Sequence, residues 1–286
     1  MSGLLGPLRV APGASPGLDR RETSSKGGMD RAEAEQRMAA AAEEMDALQQ
    51  RLWAERRWSV LLVLQGVDAA GKDGAVRHAL AGLNPQGLRV TSFDVPSAVD
   101  LAHDFLWRVH ARVPARGVIG VFNRSHYEDV IAPRVDAAAL ARQRLPPGLI
   151  GPDIWAERLA DIAAFEAYLG RQGVALRKVL LHVSAEEQRE RLLARLDDPA
   201  KQWKFQASDL QGHEQYGPTR AAYEAAIAAT STEAAPWFVV PADHKWFARL
   251  CVAEILLDAL RALHPEVPAP APEATLRAAR LRLEAG

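Results

Sequence analysis

"LLVLQGVDAAGKDGAVRHAL", residues 61–80, decides the fold. An apolar run from Val60 to Leu64 leads into Gly66, and Gly71-Lys72 follow at the spacing of a phosphate-binding loop (P-loop). Strand, glycine-rich turn, lysine and helix in that order build an anion nest. Backbone N–H groups of Gly66, Ala69, Ala70, Gly71, Asp73 and Gly74 supply partial positive charge, and Lys72 supplies a full one. The plain alternative is a tight strand-to-helix turn with a solvated lysine. One position departs from the usual motif: Asp73 stands where Ser or Thr would hold Mg²⁺. The metal then needs another hard oxygen, and Asp68 inside the loop is the better candidate. Asp73 begins a helix, where an acid also suits the dipole with no metal at all.

Elsewhere, Asp30 with Glu33 predicts a capped helix reaching about Trp53, with Met38, Ala42, Met45, Leu48 and Leu52 as its apolar face. Ser59–Gln65 reads as a central parallel strand covered on both sides. Further strands are expected over 88–95, 117–122, 175–183 and 236–240. Helices are expected over 72–81, 99–112, 153–171, 219–229 and 245–263, and from Ser184, with Glu187 completing its cap. This alternation implies an α/β fold with a parallel sheet and right-handed crossovers. Residues 1–29, rich in Gly, Pro and Ser, are expected to be a mobile or draped arm. Residues 30–263 form one domain with a lid over about 191–216, and 264–286 a Pro-rich tail.

Composition narrows the function. Lys and Arg number 35 against 36 Asp and Glu, so affinity for a phosphate polymer must come from a local basic cluster and a nucleic-acid partner is not expected. Cys251 is the only cysteine, which excludes a disulfide within the chain and suits the cytoplasm. No apolar run approaches the ~18 residues of a membrane span. The first residues lack the features of a secretion signal.

Two more clusters point to chemistry. "NRSHYED" (123–129) follows a strand whose carboxyl end faces the same crevice as the glycine loop. Asn123 offers an amide oxygen to Mg²⁺ or its waters, where P-loop kinases usually carry an acid. Arg124 suits bidentate phosphate contact, Glu128 an acceptor's hydroxyl or amino group, and His126 reads as a packing residue. In the excursion after residue 184, Arg191 and Arg195 share a helix face, and Lys201 and Lys204 follow with Trp203 and Phe205 interleaved. They read either as a lid closing over phosphates or as a Glu187–Arg191 pair with solvated lysines.

With "GVDAAGKDG", "NPQG", "HDFLWR", "FNRSHYED", "RLDDPAKQWKF" and "TSTEAAPWFVVPADHKW" in that order, the chain closely resembles the polyphosphate kinase 2 family from about Arg51 to Leu263. The resemblance implies a P-loop kinase-like three-layer αβα sandwich with a helical lid. It implies reversible, Mg²⁺-dependent phosphoryl transfer between inorganic polyphosphate and adenine or guanine nucleotides, with Mn²⁺ as a substitute metal and a homo-oligomeric protein. In the family form G-x-D-x-x-G-K-x-G, Asp73 occupies a variable position. Asp68, as metal ligand, and Lys72 match residues needed for catalysis, and Arg124 matches the arginine after the third strand. Arg191, Arg195, Lys201 and Lys204 fall in the family's lid. Many relatives have Asp at the place of Asn123, while Glu128 marks a branch acting on AMP and ADP. Tyr216 stands where Trp is expected. The rivals are an ATP-dependent nucleoside monophosphate kinase of thymidylate-kinase type and a non-catalytic nucleotide- or polyphosphate-binding regulator.

Overall fold

The computed structural model describes residues 3–285. Its strands are β1 (Arg9–Val10), β2 (Ser59–Gln65), β3 (Leu88–Ser92), β4 (Ile119–Asn123), β5 (Val174–His182) and β6 (Trp237–Pro241). They form one sheet of order β1-β6-β5-β2-β4-β3, parallel except for β1, which pairs antiparallel with β6. Every residue of β2 is buried, as a central strand covered on both faces requires. Alternation divides it: Val60, Leu62 and Leu64 join one core, Leu61 and Val63 the other.

The first core is closed by α1 (Arg31–Glu55), α2 (Lys72–Ala79) and, later in the chain, the largely buried α10 (Lys245–Leu263). Between β3 and β4 the chain makes only a single turn, α3 (Trp107–His110). The second core is closed by α4 (Glu128–Val135), α6 (Ile154–Arg171) and α9 (Tyr216–Thr230). The short α5 (Ala137–Ala141) joins α4 to the connection before α6, and α7 (Ala185–Asp197) and α8 (Ala207–Glu214) carry the excursion above the strand ends. The last helix is α11 (Glu273–Glu284), exposed throughout. The result is the expected three-layer αβα sandwich. Among the described residues, no helix is long and apolar enough to cross a membrane.

Several expectations change. Asp30 does cap α1 by accepting from the Glu33 N–H, and the expected Met45 and Leu52 are buried with Met38 and Leu48 packed on the same core; Ala34, Ala41 and Gln49 complete the buried face, and Ala42 is only half-buried. The helix expected over 99–112 breaks into a 3-10 turn at Asp100–Ala102 and the single turn α3. Asp100 accepts from Ser97 and Asp104 from the Leu106 N–H, local bonds that compete with a continuous helix. Of the two readings of the arm, mobile or draped, the structure shows the draped one: Leu5, Leu8, Val10 and Leu18 are buried, and Arg9–Val10 supplies the antiparallel edge strand.

α4 was not evident from the sequence because Pro133 lies within it. Proline removes the N–H that would bond the Asp129 carbonyl. That carbonyl accepts from Arg158 Nη1 at 2.8 Å instead, so a side chain from α6 completes the helix.

Candidate active site

β2 has partners on both sides, β4 and β5, so the strand order turns at its carboxyl end, where such sheets bind ligands. The loop leaving β2 is made of residues that tolerate its backbone. Gly66 has φ +155°, and a Cβ there would lie 2.9 Å from the Leu181 carbonyl oxygen. Gly71 (φ +106°) and Ala69 (φ +61°) are also left of the allowed norm for side-chain-bearing residues. On β4's end, Arg124 is left-handed as well (φ +64°), with its N–H on the Leu64 carbonyl at 3.0 Å. Two strained non-glycine residues at facing strand ends are held there by their surroundings.

These elements open onto a cleft of about 1170 Å³. Single small-molecule sites usually span roughly 300–1,000 Å³, so the cleft lies just beyond the upper end of that range. Lys72 is buried and its Nζ donates to the carbonyls of Gly66 (2.6 Å) and Val67 (3.1 Å). Burial, then the Arg124 charge, lowers its pKa to about 8. Arg124 Nη2 donates to Asp68 Oδ1 at 2.6 Å, and its Nη1 lies 3.7 Å from Glu128. Burial opposes the Arg124 charge, but Glu128 and Asp68 outweigh it and raise its pKa. The Glu128 carboxyl is shifted upward by burial, against the pull of Arg124 and Lys72.

The remaining expected residues line the cleft but differ in what they hold. Asn123 Nδ2 donates to Asp73 Oδ1 at 2.8 Å, and Lys204 Nζ lies 3.7 Å from the other oxygen of Asp73. The Asp73 side chain therefore joins α2, β4 and the excursion rather than pointing at the nest. Arg195 pairs with Asp209 at 2.8 Å, and Lys201 with Asp198 at 2.6 Å. Arg191 is not part of a lid surface. It is buried beneath the loop, where its guanidinium donates to Ala69, Ala70, Ala242 and Asp243 carbonyls and to Glu187. The lid expected at 191–216 accordingly narrows to the connection after α7 and helix α8, since α7 continues to Asp197 and Tyr216 starts α9 with its hydroxyl on the Val183 carbonyl. α8 packs on the loop through Gly212: a Cβ there would sit 3.0 Å from Asp68 Oδ2.

Four residues at the site escaped the sequence reading. Gln65, the last residue of β2, lies between Ser125 and Tyr223, and with its amide nitrogen turned toward Glu128 it donates to Oε1 at 2.8 Å. Lys245 and Arg249, one turn apart on α10, line the same cleft. Their signal was available: a polar residue ending an apolar strand, and a basic pair opening the helix after β6, both at carboxyl ends of strands. Tyr223, buried in the middle of α9, carried no such signal.

Among the described residues, no three of His, Cys, Asp or Glu gather into a metal cage. Mg²⁺ is usually bound by one or two carboxylates together with phosphate oxygens and waters; of these the cleft itself offers the Asp68 carboxylate, and the nest offers N–H groups to the phosphates.

Comparison with known proteins adds the chemistry. A family model described as Polyphosphate kinase 2 matches residues 28–268. The chain is 45% identical over 231 residues to an ADP-polyphosphate phosphotransferase of Rhodopseudomonas palustris, covering 80% of each chain. It is 43% identical over 233 residues to an AMP/ADP-polyphosphate phosphotransferase of Meiothermus ruber, covering 82% of this chain and 83% of that one. The crystal structure of polyphosphate kinase 2 from Arthrobacter aurescens TC1 superposes with a TM-score of 0.86 at 40% identity, covering 96% and 95% of the two chains.

Proposed function

The chain belongs to the polyphosphate kinase 2 family, and on that premise we propose that it transfers phosphoryl groups reversibly between inorganic polyphosphate and nucleotides, chiefly from polyphosphate to AMP and ADP. The observation that carries the reading is the meeting of Lys72, the glycine nest and the Arg124–Asp68 pair in one cleft. Purified protein given Mg²⁺ or Mn²⁺, polyphosphate and AMP or ADP should form ADP and ATP. Absence of product from either acceptor would refute the proposal, and transfer from ATP alone would favour a thymidylate-kinase type of reaction.

In this reading the donor's terminal phosphoryl lies in the nest, contacted by Lys72 and loop N–H groups. Asp68 would hold Mg²⁺ or Mn²⁺, which when bound neutralises phosphate charge. Arg124 stabilises charge on the phosphoryl in flight, and Arg195, Lys201 and Lys204 add positive charge from the excursion side. Glu128, on the β4 side, orients the acceptor nucleotide, with Asn123 beside it. Catalysis is positioning plus electrostatics, and no covalent nucleophile is needed. Use of nucleotides and a single, buried Cys251 support a cytoplasmic location. A homo-oligomer is proposed from the family relation alone.

Lys245 and Arg249 extend the path of a polyanion beyond the nest. Neither makes an ion pair or side-chain hydrogen bond among the described residues. Burial, then Arg191, lowers the Lys245 pKa, and burial, then Arg31, lowers that of Arg249. A bound polyanion relieves this repulsion. Arg249→Glu should raise KM for long polyphosphate by about tenfold, the worth of one charge-assisted contact. It should leave KM for ADP unchanged, and an equal rise for both substrates would count against the assignment.

The Lys72 pKa predicts a pH effect. A lysine near 8 in the free protein loses its charge as pH rises through 8, whereas bound phosphate holds the proton on. KM for polyphosphate should therefore climb above pH 8, by up to about tenfold per pH unit. Lys72→Arg, always charged, should flatten that slope; a wild-type profile flat from pH 7 to 9.5 would contradict it.

A further inference from the structure

We propose that the N-terminal arm is a positioning element of the active site, acting through Thr23 and Asp243 on the seat of Arg191 beneath the P-loop. The family match begins at residue 28, so the part of the arm that carries Thr23 lies outside it.

The arm crosses the carboxyl ends of β5 and β6, on the catalytic side of the sheet. The Leu18 carbonyl lies 2.9 Å from His182 Nε2 at the end of β5, and the N–H groups of Gly17 and Leu18 donate to Glu224 of α9 at 2.9 and 2.8 Å. Farther on, Thr23 Oγ1 donates to Asp243 Oδ2 at 2.6 Å, and the Asp243 N–H returns a bond to the Thr23 carbonyl at 3.1 Å.

Asp243 is a junction. Its other carboxylate oxygen accepts from the Ser184 N–H at 2.8 Å, setting the start of α7. Its carbonyl and that of Ala242 accept from Arg191 Nη2 at 3.1 and 2.5 Å. Arg191 sits on α7, two turns beyond that start, and its Nη1 donates to the Ala69 and Ala70 carbonyls at 3.1 and 2.8 Å. Thr23 thus fixes both ends of the guanidinium's support: the carbonyls it grips and the helix that carries it.

The consequence falls on the nest. In a planar trans peptide the C=O and the next N–H point opposite ways. Arg191's hold on the Ala70 carbonyl therefore turns the Gly71 N–H away from Arg191, and that N–H has no acceptor among the described residues. It is one of the groups a phosphate would take. Ala69, strained at φ +61°, is kept in place by the same side chain.

The test uses Thr23→Val, which removes the donor and keeps the shape, and Thr23→Ser, which restores it. In hydrogen–deuterium exchange on the full chain without substrate, Thr23→Val should speed exchange in peptides covering 66–76 and 184–191, with the β2 and β4 peptides unchanged. In transfer assays it should raise KM for polyphosphate about fivefold, one hydrogen bond's worth, with KM for ADP unchanged. Thr23→Ser should behave as wild type in both. The KM comparison rests on polyphosphate occupying the P-loop, whereas the exchange comparison does not. Wild-type protein without transfer activity would refute that reading alone. Unchanged P-loop exchange in Thr23→Val, uniformly faster exchange across the sheet, or failure of serine to restore would each overturn the role of the arm.

Discussion

Lys72→Ala is expected to lower phosphoryl transfer by about 10³-fold, the cost of removing a preorganised charge from developing negative charge. The ammonium lies inside the loop on the Gly66 and Val67 carbonyls, so no second cation can take its place without displacing the backbone. Arg124 is near but committed to Asp68 and Glu128. The variant should also fold at least as well as wild type. The lowered pKa means that folding disfavours the charged lysine, a penalty present in full below about pH 8 and fading as pH rises toward the unfolded value. Removing the charge removes that penalty, so Lys72→Met should melt no lower at pH 7 while being as inactive as the alanine variant. Stability surrendered for function is common at active sites. Steady-state rates with polyphosphate and ADP, set beside thermal melts, check both halves. Activity within tenfold of wild type would remove Lys72 from the mechanism.

How far the sequence reveals this site depends on whether a feature is local. β2, the Asp30 cap and the Ser184 cap were legible because a few adjacent residues determine each: an unbroken apolar run, or an acceptor side chain three residues before the N–H it satisfies. α4 was not, because its continuity depends on Arg158 reaching the carbonyl that Pro133 leaves unpaired. The same limit applied to Arg191. Its spacing from Arg195 placed both on one face of α7, yet the two guanidinium groups do different things. One grips four backbone carbonyls under the loop, and the other pairs with Asp209 of α8 at the cleft. Charge and period cannot separate a cation that shapes the nest from one that faces its contents. Mobile and draped readings of the arm could not be separated for a related reason: its Gly, Pro and Ser content suits either, and Leu5, Leu8 and Leu18 find apolar surface only in three dimensions.

Asp73 shows what the structure adds to the departure from the usual loop. Its carboxylate holds Asn123 and approaches Lys204, so the position that elsewhere ligates metal here ties the excursion to the strand ends. An aspartate at 123 would face Asp73 as a like charge. Asparagine turns that contact into a hydrogen bond. The two departures therefore form one compatible pair.

The second large effect is expected away from the cleft, at Glu166. Its carboxylate, in α6, is buried with Lys178 of β5, and also meets the hydroxyl of Tyr127 at 2.8 Å and His126 Nε2 at 3.3 Å. Lys178 Nζ further donates to the Thr230 carbonyl at 2.7 Å. Burial opposes the Glu166 charge, but Lys178 and His126 hold its pKa below the ordinary carboxylate value. Its contribution is thus present above the unfolded pKa and is lost as pH falls through the folded one. Glu166→Ala leaves the ammonium of Lys178 buried without its counter-charge and should cost about 3–5 kcal/mol in urea unfolding. Replacing both members, Glu166→Leu with Lys178→Met, should recover most of that loss, since apolar pairs of similar volume often do as well as buried ion pairs. Tyr127 and His126 directly follow the Arg124–Ser125 turn, so the single variant should also lose transfer activity more steeply with temperature than its melting curve alone explains. A Glu166→Ala protein within 1 kcal/mol of wild type would mean that Lys178, whose pKa burial already lowers, sheds its proton at little cost, since its full burial in the sheet argues against escape to water.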